Sequence, residues 1–215
     1  IFYAITCLVD QGKEVIVPDP GFPSYYSTIK MCNVTPVRIP LKEENEFRMS
    51  PDDIEKNITE DTRLIIINSP QNPTGSVMTE DQIKHTYEIA EKHDVYLYSD
   101  EIYARMVYDN KKFNSPSIYD KCKDRTIISN GFSKAFAMTG WRLGAIIGPY
   151  VVIEKMKLLL ETTSSCVSPF IQKAGIEAIS GDQSRTINMY KEYNERRELI
   201  VDGLNSITSI SCVKP

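Results

Sequence analysis

The sequence predicts an α/β protein of three αβα layers around a mostly parallel central sheet, and three observations carry the prediction. Short β-rich runs alternate with helical patterns along most of the 215 residues, as happens when parallel strands are joined by crossover helices. Most strand candidates are apolar on both faces instead of alternating, as strands covered by helices on each side should be. A hydrophobic share of 41% beside 25% charged residues suits a soluble chain with a core of ordinary size.

In chain order, Ile1-Phe2-Tyr3-Ala4-Ile5 reads as the middle of a helix, with no cap or targeting pattern before it. The strand candidates are Glu14 to Val17, Val34 to Ile39, Arg63 to Asn68, Val95 to Ser99, Arg125 to Ser129 and Ala145 to Ile147. Helices are expected between them. Ser50-Pro51 supplies a cap and a first-turn proline for Asp52 to Asn57, and Thr79 with Gln82 forms a capping box for a helix to about His93. After Val151 the pattern is almost wholly helical. From Ser184 to Ser206, Ile187, Tyr190, Ile200 and Leu204 mark an apolar stripe, with Lys191, Glu195 and Glu198 on other faces. Residues 1–183 are therefore expected to form one large domain. Residues 184–215 are expected to be a linking helix and the start of a smaller C-terminal domain, with Ile207 to Val213 as its first strand. Both ends read as interrupted elements, the expectation for an internal piece of a longer protein.

Composition narrows the function classes. A formal charge of −4 and a pI near 5.4 offer no basic field to a nucleic-acid backbone, and no run of eighteen apolar residues could cross a bilayer. The five cysteines are odd in number, scattered and never spaced Cys-x-x-Cys, which argues against a disulfide framework or a zinc site and for a reducing, cytoplasmic location. His85 and His93 fall among Glu, Lys and Asp on one helix and are read as a solvated face, so no metal is expected. Glu43-Glu44, Asp52-Asp53 and Glu60-Asp61 are read as surface charge.

In an open parallel sheet, ligands gather at the carboxyl ends of the strands. The strand ending at Asn68 runs into Ser69-Pro70-Gln71-Asn72-Pro73-Thr74-Gly75, and the next into Asp100-Glu101-Ile102-Tyr103. The third runs into a turn bearing Lys134, with Arg142 eight positions further on. An amide, an acid with a phenol, and an amine thus share one edge. A lysine in a partly dry pocket can lose its proton and attack a carbonyl, and an arginine fork suits a phosphate dianion.

With Pro20-Gly21-Phe22-Pro23-Ser24-Tyr25, Asn72-Pro73-Thr74-Gly75, Ser99-Asp100-Glu101-Ile102-Tyr103 and Gly131-Phe132-Ser133-Lys134 through Arg142-Leu143-Gly144 in this order, the chain resembles the large domain of a fold-type-I pyridoxal-phosphate aminotransferase of class I/II, the aspartate aminotransferase group. The resemblance implies that Lys134 holds pyridoxal 5'-phosphate as an internal aldimine and then moves the substrate's α-proton. It implies that Asp100 keeps the pyridine nitrogen protonated, that Asn72 and Tyr103 bond the phenolic oxygen, that Phe22 stacks on the ring and that Arg142 grips the phosphate. Catalysis would then rest on Lys134, Asp100 and Tyr103.

Many relatives carry a serine three positions before the lysine. Gly131 stands there in this chain, so a hydroxyl contact to the phosphate is either missing or taken over by Ser133. The resemblance further implies a phosphate-cradling loop upstream of Ile1, a carboxylate-binding arginine downstream, and a tyrosine supplied by the other subunit of a homodimer. The implied reaction exchanges an amino group between an amino acid and a 2-oxo acid in a ping-pong cycle. A carbon-sulfur lyase, a related enzyme with the same cofactor, or a non-catalytic regulatory domain stays open as an alternative, because outcome depends on substrate contacts outside this segment.

Overall fold

The computed structural model describes all residues 1–215. Helix α1 (Phe2–Leu8) leads to strand β1 (Glu14–Asp19), helix α2 (Pro23–Met31) and strand β2 (Thr35–Pro40). Helix α3 (Pro51–Asn57), strand β3 (Thr62–Asn68), helix α4 (Glu80–Lys92) and strand β4 (Tyr96–Asp100) come next. The short helix α5 (Ser117–Asp120), strand β5 (Thr126–Gly131) and strand β6 (Gly144–Ile147) complete the sheet. Helices α6 (Tyr150–Ser164), α7 (Pro169–Ser180) and α8 (Ser184–Asn205) follow.

All six strands join one sheet in the order β2-β1-β3-β4-β5-β6, parallel except for the antiparallel β6. Strand periodicity divides the core in two. Leu64 and Ile66 of β3 face a cluster with Ala4, Ile5, Tyr25, Ile29, Val152 and Met156 from α1, α2 and α6. Ile65 and Ile67 face the opposite cluster, with Ile54 of α3 and Ile83, Ile89 and Ala90 of α4. Two apolar layers on one sheet are the αβα sandwich expected from strands apolar on both faces. The outer strands depart from that pattern: β2 and β6 are mostly exposed or half-buried, because each has a neighbour on one side only.

Local chemistry sets the boundaries. Ser50 Oγ accepts from Asp53 N at 3.3 Å with Pro51 in the first turn of α3. Thr79 and Gln82 complete the capping box of α4, with Gln82 N to Thr79 Oγ1 at 3.2 Å. Such a cap contributes about 1 kcal/mol, less than the roughly 2 kcal/mol from burying a single Ile. Burial of Ile83 and Ile89 therefore holds α4 on the sheet, and the cap decides where it starts.

Two expectations are corrected. Residues 207–213 form no strand: α8 ends in a turn through Ile207 and Ile210, then runs irregularly, its Cys212 amide held by Asn205 Oδ1 at 2.8 Å. The apolar stripe expected on α8 is only in part its packing face: Tyr190 and Leu204 are half-buried, Tyr190 stacking on Tyr108 at 5.0 Å. Ile187 and Ile200 are 50% and 61% exposed, while Arg197 and Val201 are buried. The reason is the partner: α8 packs on a polar loop, residues 101–116, where Arg197 meets Asp109 at 2.6 Å and lies 4.5 Å from the Tyr108 ring centre.

The start of β5 is fixed by Asp120, whose buried carboxylate accepts from the Cys122, Arg125 and Thr126 amides at 2.9, 3.0 and 2.9 Å. Burial pushes this carboxyl up, but the three amides outweigh it and hold it below the usual range. Asp120→Ala is expected to cost ~3 kcal/mol in urea unfolding, since buried amides lose a charged partner. Because the folded-state pKa is lowered, the wild-type advantage should be complete above pH ~4 and fade as pH falls. A variant as stable as wild type at pH 7 would refute this anchor role.

Candidate active site

The carboxyl ends of the parallel strands β1, β3, β4 and β5 open onto one side of the sheet. A cavity of about 820 Å³ lies there, roofed on one side by α1, α2 and α6. Phe22, Asn72, Asp100, Tyr103, Ser133, Lys134 and Arg142 all line it, so the fold gathers every side chain that the motifs single out.

Each arrives by a separate route. Strand β4 turns Tyr98 and Asp100 to the same face, two residues apart. Asp100 is 7% exposed, and its carboxylate accepts from the Tyr25 hydroxyl at 2.7 Å and the Ile102 amide at 3.3 Å. Burial pushes the Asp100 carboxyl above its usual range, opposed by these two donors. The same burial and the facing carboxylate push the Tyr25 phenol strongly up, so it remains a donor.

Beyond β3, Asn72 is placed by Asn68, whose Oδ1 accepts from the Asn72 amide at 2.8 Å. The Asn68 side-chain amide also donates to the Asp100 carbonyl at 3.0 Å and to the Pro70 carbonyl at 3.1 Å. Gln71 spans to the next loop, donating to the Pro20 carbonyl at 2.8 Å while its oxygen accepts from the Thr74 amide at 2.7 Å. The turn closes at Gly75, where φ is +75°, a conformation that suits glycine.

Phe22 follows Gly21, where a methyl group would overlap the Pro18 carbonyl oxygen, so the close turn requires glycine. Its ring packs edge-on against Tyr25 at 5.7 Å and is 36% exposed on the cavity wall.

Lys134 sits in a turn stitched by Phe132 N to Leu143 O at 3.2 Å and Ala137 N to Lys134 O at 3.1 Å, with Ala135 buried beneath. Its ammonium lies 5.5 Å from the centre of the Tyr103 ring, within cation–π range. Lys134 is exposed while lining the cavity. Arg142 is also exposed and donates to the Thr139 carbonyl at 2.7 Å, its backbone at φ +52°.

Three cavity groups carry no assignment from the sequence. Tyr25 stands inside a quoted motif, and its signal is the buried stripe of α2, Tyr25, Thr28 and Ile29. Asn68 is legible only as the polar end of an apolar strand. Tyr98 has no motif; its hydroxyl is buried on the cavity wall beside Ser129, with no hydrogen bond of ordinary length. Asn68→Ala is expected to cost ~2 kcal/mol and loosen residues 69–75, since three hydrogen bonds meet at one buried amide. Unchanged urea stability and unchanged amide exchange across 69–75 would contradict that role.

One cavity at the carboxyl edge of a parallel sheet thus carries an amine, a buried carboxylate, an amide, a phenol and a guanidinium, at the place where open α/β sheets bind ligands. The comparisons give the class: the chain matches the family Aminotransferase class I and II over residues 1–215, and it belongs to that family. It is 41% identical to an aspartate aminotransferase of Pyrococcus horikoshii over 216 residues, covering 100% of this chain and 55% of that protein. It is 40% identical to aromatic-amino-acid aminotransferase 2 of Thermococcus litoralis, covering 100% and 56%. Among solved structures, the aspartate aminotransferase of Rhizobium meliloti superposes with a TM-score of 0.95 at 35% identity, covering 100% of this chain and 54% of that one. The chain thus spans about half the length of these relatives. No helix is long and apolar enough to cross a membrane.

Proposed function

We propose that this chain forms the cofactor-binding half of a pyridoxal-phosphate-dependent aminotransferase that moves an amino group between an amino acid and a 2-oxo acid. The observation that carries the reading is the convergence of Lys134, Asp100, Asn72, Tyr103 and Arg142 on one cavity, with the lysine beside the tyrosine ring.

When bound, pyridoxal phosphate supplies an electron-accepting ring that stabilises negative charge at the substrate α-carbon. The residues supply the rest. Asp100, buried and gripped by Tyr25 and Ile102, would be the carboxylate that pairs with a protonated ring nitrogen. Asn72 and Tyr103 offer donors on the facing wall, and Phe22 offers an aromatic face. Arg142 offers a planar fork, and Ser133 a hydroxyl, to a phosphate. Lys134, whose exposed amine lines the cavity, would be the residue that holds the cofactor's aldehyde carbon and, when not so held, the base available to the substrate's α-proton. The homologous aspartate and aromatic aminotransferases support an amino acid and a 2-oxo acid as substrates. A homodimer in the cytoplasm fits the same reading.

The test incubates the full-length protein and pyridoxal phosphate with single amino acids and follows pyridoxamine phosphate by chromatography. Its stoichiometric formation without a 2-oxo acid, and its reversal by one, is the expected half-reaction. Release of ammonia and pyruvate in its place would overturn transamination.

A further inference from the structure

Asp100 and Glu101 are adjacent carboxylates at the end of β4, and only Asp100 faces the cavity. Glu101 is 5% exposed, lines neither of the two main cavities and has no cation within ion-pairing distance. A buried carboxylate without a counter-ion is costly unless hydrogen bonds hold it. Its closest partner is the Ser115 hydroxyl, which donates to Glu101 Oε1 at 2.6 Å and also contacts Ser117 Oγ at 2.9 Å, with the Ser99 hydroxyl a second, weaker support.

That bond joins the two ends of an irregular loop. Residues 102–114 contain no helix or strand, and Tyr103 is the second of them. The far end of the loop is held by α8, through Tyr190 Oη to the Val107 carbonyl at 2.8 Å and Arg197 to Asp109 at 2.6 Å. Around Tyr103 the loop's backbone-to-backbone bonds are two turn bonds, Ala104 N to Glu101 O at 2.9 Å and Met106 N to Tyr103 O at 2.8 Å, beside the Ile102 amide to Asp100 at 3.3 Å and Arg105 to Gln183 at 3.2 Å. Loops of this length without regular structure are costly to order, so a tie at the base has a purpose.

We propose that Glu101 is a positioning residue for Tyr103: its carboxylate and the Ser115 hydroxyl clip the base of the loop shut, which holds the Tyr103 phenol on the wall beside Lys134. The inference rests on reading Tyr103 as part of the cofactor site. Glu101 touches no reacting atom and acts through the loop. Gln keeps an oxygen acceptor at this place, whereas Leu or loss of the serine hydroxyl opens the clip.

The test measures amide hydrogen exchange in the cofactor-free full-length protein, with titration of pyridoxal phosphate by fluorescence alongside. Ser115→Ala and Glu101→Leu should exchange the Ala104 and Met106 amides about tenfold faster, as loss of one charged hydrogen bond implies. Ile65 and Ile66 should be unchanged, and Glu101→Gln should behave as wild type in exchange and in affinity. Should Glu101→Leu fail to fold, Ser115→Ala decides alone. Unchanged exchange at Ala104 and Met106 would overturn the clip, as would acceleration spread through the sheet, or Glu101→Gln matching Glu101→Leu. Failure of wild type to bind pyridoxal phosphate would instead overturn the function proposed above while leaving the exchange result standing.

Discussion

Replacing Lys134 by alanine is expected to lower kcat/KM for transamination by a factor on the order of 10⁴, the upper range for a residue that moves a proton in the transition state. The one further lysine lining the cavity, Lys157, is carried by α6 and not by the Lys134 turn. Stability should hardly change, since Lys134 is exposed and makes no ion pair. Steady-state kinetics and urea unfolding on the same preparation check both parts. Activity within tenfold of wild type would remove Lys134 from the chemistry, and a large loss of stability would make it structural.

Asp100→Asn carries the second large effect, with opposite signs in function and stability. Asparagine keeps the shape and one acceptor, for Tyr25, but gives up the oxygen that takes the weak 3.3 Å Ile102 bond and the charge proposed to pair with the ring nitrogen, so kcat should fall by about 10²–10³, as for loss of one preorganised electrostatic contact. In the cofactor-free protein, burial pushes the Asp100 carboxyl up against the opposing Tyr25 and Ile102 hydrogen bonds. A carboxyl whose folded-state pKa is raised contributes its stability fully below the unfolded value, near 3.9, and loses it as pH rises through the folded value. At neutral pH the buried charge is therefore a cost. The variant should be more stable there by about 0.5–2 kcal/mol, the usual trade-off at a functional site, with the gain vanishing below pH ~4. Urea unfolding at pH 7 and pH 4 measures it, and equal or lower stability of the variant at both would contradict the assignment.

Much of the architecture was legible because strand and helix periods differ. The runs around Ile65, Leu97 and Ile127 are apolar on both faces, which only helix-covered parallel strands explain. The Thr79 and Ser50 caps were legible because a cap is local chemistry between residues three apart. Residues 207–213 misled, because a short β-prone run forms a strand only when a neighbour offers an edge, and periodicity cannot show one. The α8 stripe misled in part, for a related reason: its buried face is set by the Tyr108 and Asp109 loop, so Arg197 is inside and Ile200 outside.

The cavity divides in the same way. Lys134, Asp100, Asn72 and Arg142 were visible as motifs at strand ends. Asn68, Tyr25 and Tyr98 were not, since their importance lies in contacts across 32 and 75 positions of sequence, or in a buried hydroxyl with no hydrogen bond of ordinary length. The exposure of Lys134 was equally invisible, because solvent access is a property of the assembled cavity wall and not of the turn that carries the lysine.

Peptide mapping after borohydride treatment tests the central claim most directly. Full-length protein is mixed with pyridoxal phosphate, reduced, digested and analysed by mass spectrometry. One stoichiometric pyridoxyl adduct on Lys134, absent when an amino-acid substrate is added before reduction, is the predicted result. Adducts scattered over surface lysines, with Lys134 unmodified in folded protein, would contradict it.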